Sequence, residues 1–222
     1  PKVVPEMCRL GSKGDGGYVL PNHILQYCDS LLTLGLGENW SFELELIKAT
    51  KMKKVIIYDH TVGLGKFFKR ILESIIRRLL FIKCKRGGIL NRIQILYSYQ
   101  SLIKNSFINH RKLKIDYLSI NSKSISFEDA FMDFSKLNPI VKIDIEGSEW
   151  SIIDQIISNS TFINCLIMEI HVNADWTEWH IEKLKILFDK MVLVHLHANN
   201  FSSLDCNGIP KALEITLINI KY

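Results

Sequence analysis

The sequence predicts an α/β fold: one mostly parallel twisted sheet with helices on both faces, closed by an antiparallel C-terminal hairpin. Three observations point there. Apolar runs of strand length alternate with stretches of helical periodicity along most of the chain. A glycine turn, Gly35-Leu36-Gly37, follows a buried run and opens a helix. Acids end three later runs, at Asp59, Asp144 and Glu169, where open α/β sheets bind their ligands.

Length and composition narrow the class. With 222 residues, 47% of them hydrophobic, the chain can bury one sizeable core, and we expect a single domain over 1–222 with a basic helical insertion around 64–110. The five cysteines form no CxxC pair, so neither a disulfide framework nor a zinc ribbon is signalled. No apolar run approaches the length of a membrane span, and a cytoplasmic location is the expectation.

In chain order, residues 9–21 hold four glycines and an apolar end, read as a tight turn entering a strand, which spacing alone favours as an ordinary hairpin. Residues 30–40 give a strand and the glycine turn, followed by a helix over about 41–52. A dinucleotide site wants a small residue where this chain has Trp40, which argues against NAD. The next strand, 54–60, ends in Asp59 and His60, and Asp59 stands 22 residues after Gly37, the spacing of a ribose-binding acid. A buried acid capping the next helix is the competing reading.

Residues 64–84 have apolar positions at helical spacing, and between 66 and 92 nine cations face only Glu73. A solvated face, an anionic substrate or a peripheral contact with an anionic surface would each account for this charge. Segments near Ile93–Tyr99 and Leu113–Ile120 read as strands, and Ser126 to Asp129 as a capped helix start. The run 139–146 follows, with Lys142, Asp144 and Glu146 expected on one face, Gly147 turning, and Ser148 capping a helix from Glu149 to about Ser158. Then come a strand over 164–171 with Glu169 and His171 at its tip, a helix capped by Asp175 with Glu178, and two strands, 192–198 and 212–220.

Two stretches carry a family resemblance. Asp144-Ile145-Glu146-Gly147 resembles the DxEG motif of FkbM-type methyltransferases, which use S-adenosylmethionine (SAM), and Asp15-Gly16-Gly17-Tyr18 looks like their DGGY element. The likeness extends from about Gly14 to Leu217 and is weakest over 66–124. It implies a Rossmann-like class I methyltransferase fold with SAM as cofactor. It also implies methyl transfer to a hydroxyl oxygen of a sugar, a capsular or surface glycan precursor, or a related metabolite. Thr33 stands where such enzymes carry an acid two residues before the first glycine, and Glu38 is the expected substitute.

On this reading Asp15, Gly35, Gly37, Glu38, Asn39, Asp59, His60 and Asp144 are candidates for the cofactor, and Glu146, Glu169 and His171 for the base. The run from His195 and His197 to Asn199 and Asn200 resembles a C-terminal element of the same relatives. With Tyr18, these residues are the substrate candidates. No ligand spacing demands a metal, although Asp144, Glu169 and His171 could supply ligands for one. The alternative function is a non-catalytic module binding a nucleotide-sugar or anionic glycan. Nucleic acid is not expected as a partner, because the basic stretches lack interleaved aromatics and no NPPY-type element is present.

Overall fold

Buried runs of Leu, Ile and Val build the centre of the structure, a computed structural model that describes residues 1–79, 88–119, 122–134, 136–172, 176–205, 208 and 210–221. The chain opens with a hairpin of β1 (Met7–Gly11) and β2 (Gly17–Pro21), then a one-turn helix α1 (Ile24–Tyr27). Alternation follows: β3 (Ser30–Leu34), α2 (Ser41–Ala49), β4 (Lys54–Tyr58), α3 (Leu64–Leu79), α4 (Ile89–Ile103) and β5 (Ile108–Arg111). A two-residue pair, β6 (Lys114–Ile115) and β7 (Ser124–Ile125), leads to α5 (Phe127–Phe131) and β8 (Pro139–Ile143). The last elements are α6 (Glu149–Asn159), β9 (Cys165–His171), α7 (Glu178–Lys190), β10 (Met191–Ala198) and β11 (Ala212–Asn219).

Seven strands form the main sheet in the order β10-β11-β9-β8-β3-β4-β5, and only β11 runs against the rest. This is a Rossmann-like, mostly parallel sheet closed by an antiparallel C-terminal pair, as expected. The chain first goes from β3 toward β5 on one side, then returns to β8 on the other side of β3. The β3–β8 boundary is therefore the topological switch point, where ligands bind outside the carboxyl ends. Strands β3 and β8 have every residue buried, as befits parallel strands covered on both faces. One core places Phe42, Leu46, Phe67 and Tyr99 against one face, and the other places Phe127, Ile152, Ile156 and Leu187 against the opposite face.

Several sequence expectations are corrected. Ile93–Tyr99 is not a strand but part of α4, because Leu96, Tyr99 and Leu102 meet the core at three-residue steps. Tyr99 packs there on Trp40 and Phe67. The edge strand is instead β5, and of Leu113–Ile120 only Lys114 and Ile115 are strand, with Ile120 outside the described residues. Ser148 makes no side-chain cap on α6; the Glu149 carboxylate accepts from the Gly147 N–H at 2.8 Å instead. Helix α7 starts from Thr177, whose backbone N–H donates to the His180 ring at 3.1 Å. Asp175, the expected cap, lies outside the described residues, as do 80–84 of the expected basic helix and Lys85 and Arg86 beyond it.

Candidate active site at the carboxyl ends of the central strands

Two turns face each other across the switch point. Gly35 has φ +82, and a Cβ there would collide with the Asp144 carbonyl, so only glycine lets the turn after β3 sit against the turn after β8. The Asp144 N–H donates to the Leu34 carbonyl at 2.9 Å, and the Gly35 N–H to the Tyr58 carbonyl at 2.9 Å. Gly37, at φ +63, has nothing within 4 Å of its missing Cβ and opens onto a cleft of about 650 Å³. Asp59, His60, Thr61, Asp144 and Glu146 share its walls.

Asp59 braces this turn. One carboxylate oxygen accepts from the N–H groups of Leu36 and Gly37 at 2.8 and 3.0 Å, the other from the Thr61 N–H and hydroxyl and the Val62 N–H. Burial pushes the Asp59 pKa up, but the hydrogen bonds from Thr61, Gly37 and Leu36 outweigh it and hold the carboxyl below its usual value. Five donors already occupy a group with about four lone-pair positions, so a ribose hydroxyl reaches Asp59 only by displacing Thr61.

Other expected cofactor residues are engaged elsewhere. Glu38 pairs with Arg70 of α3. Asn39 donates to the Asp15 carbonyl at 2.7 Å and to the Ser12 hydroxyl at 3.2 Å, tying the DGGY hairpin to the glycine turn. The acid missing at Thr33 is replaced in space by Glu43 of α2 rather than by Glu38. Fully buried Glu43 accepts from Thr33 at 3.4 Å and from buried Lys142 at 3.2 Å, and Lys142 also reaches the Gly35 carbonyl at 3.3 Å. Burial pushes the Lys142 ammonium down, but Glu43 and Asp144 outweigh it and keep its pKa raised, so Lys142 stays an ammonium beneath the turn.

The expected single face of Lys142, Asp144 and Glu146 does not form. β8 ends at Ile143, Lys142 points into the core, and Glu146 adopts φ +54 and carries a side chain 87% exposed. A second cleft of about 550 Å³ is also lined by Asp144 and Glu146, together with Asp15, Glu169, His171 and Asn199. Glu169 is its buried acid. Desolvation, then the Asp144 charge, push the Glu169 carboxyl up to about 7, against the Asn199 side chain donating at 3.0 Å and the charge of His171.

His171 does not suit the role of base. Burial pushes it down, but the hydrogen bond and charge of Glu149, joined by Glu169 and Glu146, carry it up to about 9, so it is an imidazolium near neutral pH. Its Nδ1 lies 3.0 Å from Glu149 Oε1 and its Nε2 3.5 Å from Glu146. Tyr18 is buried, not exposed to a substrate, and donates to Asp144 at 3.2 Å; burial and then Asp144 keep it a phenol.

Of the C-terminal run only Asn199 enters the cleft. His195 and His197 stack on each other along β10, with β11 between them and β9, and Asn200 is exposed. The residues of this arrangement that the sequence did not single out are Glu43 and Glu149. A lone Lys142 in an apolar strand was the one hint that a buried partner existed. Among the described residues, Asp144, Glu169 and His171 bring one ligand atom each within 4.8 Å of one another, close enough for a divalent cation with bonds of ~2.3–2.6 Å.

The sequence matches no known family model and no curated protein. Among solved structures it is similar to Streptococcus pneumoniae Sp1610 in complex with S-adenosyl-L-methionine, at 12% identity over 89% of this chain and 69% of that one, TM-score 0.44. A precorrin-6y C5,15-methyltransferase from Geobacter metallireducens (9%, 89% and 84%, 0.44) and an rRNA methylase from Streptococcus thermophilus (11%, 89% and 91%, 0.44) give similar values. No described helix is long and apolar enough to cross a membrane.

Proposed function

We propose that this protein is an FkbM-type, SAM-dependent O-methyltransferase acting on a hydroxyl of a neutral sugar, glycan precursor or related polyol. One observation carries the reading: the glycine-turn cleft and the acidic cleft meet at Asp144 and Glu146, which line both. A cofactor held in the first and an acceptor in the second would come together at that wall, as an in-line transfer requires. The cradle fits SAM in its chemistry, since Gly37 leaves its side open and Asp59 can exchange the Thr61 hydroxyl for a ribose hydroxyl. When bound, SAM supplies an electrophilic methyl group on a sulfonium.

The chain's own residues would do the rest. Glu169, poised at about 7, takes the proton as the acceptor hydroxyl becomes nucleophilic. Asn199 holds that carboxylate in place, and the His171 imidazolium, fixed by Glu149, keeps a positive charge beside Glu169 and Glu146. Tyr18 orients Asp144 between the two clefts. Because Asp15, Asp144, Glu146 and Glu169 all line the acceptor cleft, a phosphorylated or uronate acceptor would meet repulsion there. The test is release of S-adenosylhomocysteine from SAM with a panel of neutral and anionic sugars. Turnover with neutral hydroxyl acceptors is the expected result, whereas glycan binding without turnover would favour the non-catalytic module.

A further inference from the structure

Helix α3 carries an apolar stripe that it does not spend on the core. At 100° per residue, Phe67 and Ser74 fall on its buried side, where Phe67 packs on Trp40 and Tyr99. Phe68, Leu72, Ile75 and Ile76 fall within a separate sector of about 100° and are 55%, 58%, 39% and 46% exposed. Four adjacent large apolar side chains in water are unusual unless something covers them. Beyond Ile76 the surface turns cationic, with Lys69, Lys66 and Arg77 exposed around a single acid, Glu73.

We infer that this face of α3 docks on a bilayer bearing anionic headgroups. The pattern of Phe, Leu and Ile on one sector with Lys and Arg beside it is that of a helix lying in the membrane interface. Charge decides between occupants. A second copy of the chain would bring a further net charge of +5 to this cationic surface, while anionic lipids neutralise it. The helix starts just past the glycine-turn cleft, and Arg70 ties it to Glu38 of that turn, so docking would hold the cleft near the membrane surface. The inference does not rest on methyl transfer, and its test needs no turnover.

The 222-residue chain is sedimented with sucrose-loaded vesicles of phosphatidylcholine containing 30 mol% phosphatidylglycerol, and with phosphatidylcholine alone. Binding to the anionic vesicles is expected, falling at least tenfold in L72S/I76S at unchanged melting temperature. Neutralising Lys66, Lys69 and Arg77 with Gln should cost about fivefold per cation. Equal sedimentation with and without phosphatidylglycerol, or binding insensitive to both variants, would overturn the inference. So would a vesicle-independent dimer that L72S/I76S dissolves, which would assign the stripe to self-association.

Discussion

Replacing Glu169 by Gln should separate chemistry from stability in opposite directions. With its carboxyl at about 7, the ionised fraction of Glu169 climbs from about a tenth at pH 6 to about nine-tenths at pH 8, so wild-type turnover should rise roughly tenfold over that interval. Gln keeps the size and accepts from Asn199 but takes no proton, so turnover should drop by about 10²–10⁴-fold and lose this pH dependence. Stability moves the other way. A carboxyl raised in the folded state favours folding while it is protonated, and that contribution is lost as pH rises through about 7. From an ordinary 4.5 to about 7, the shift corresponds to at most about 3 kcal/mol. The variant should therefore melt close to wild type at pH 5 and above it at pH 8. Methyl transfer by initial rates and melting by calorimetry on one preparation would decide it. A variant that retains its turnover, or melts lower than wild type at pH 8, would refute the reasoning.

The other predictions concern the support of the same site. Asp59→Ala leaves the N–H groups of Leu36, Gly37, Thr61 and Val62 without their acceptor, so it should destabilise by about 1–3 kcal/mol in urea and weaken SAM in titration calorimetry. Lys142→Met strands buried Glu43 and should cost about 3–5 kcal/mol, while the double change with Glu43→Leu recovers most of it. His171→Gln removes the cation that holds Glu169 down, so the acid limb of the rate profile should move to higher pH. Dialysis against EDTA should leave turnover unchanged. A loss that Mg²⁺ or Mn²⁺ restores would make Asp144, Glu169 and His171 metal ligands instead.

The residues that the sequence exposed best are those whose role is backbone geometry or strand burial. Gly35 was visible because a turn that close to another chain segment admits no side chain, and Gly37 because its positive φ favours glycine, and each requirement is written in a single letter. Asp59, Asp144 and Glu169 were visible because near-continuous apolar runs of strand length end just before them. Helix α4 was misread because Ile, Tyr and Leu suit a strand locally, and only packing against Phe67 and Trp40 makes them a helix.

By itself the sequence determined the order of strands and helices outside 85–124, the glycine turn, and the set of acids that could gather at one edge of the sheet, since each follows from side-chain period and backbone freedom within a few residues. The tertiary structure decided the surroundings of those acids. Glu169 is buried and poised while Glu146, expected to act as base, lies in solvent, because β8 stops at Ile143 and a left-handed residue at 146 throws its side chain outward. Glu43, Lys142 and Glu149 acquire their partners 99 and 22 positions away, and a carboxylate's charge state depends on desolvation and neighbours at distances of a few ångströms, which no local spacing encodes.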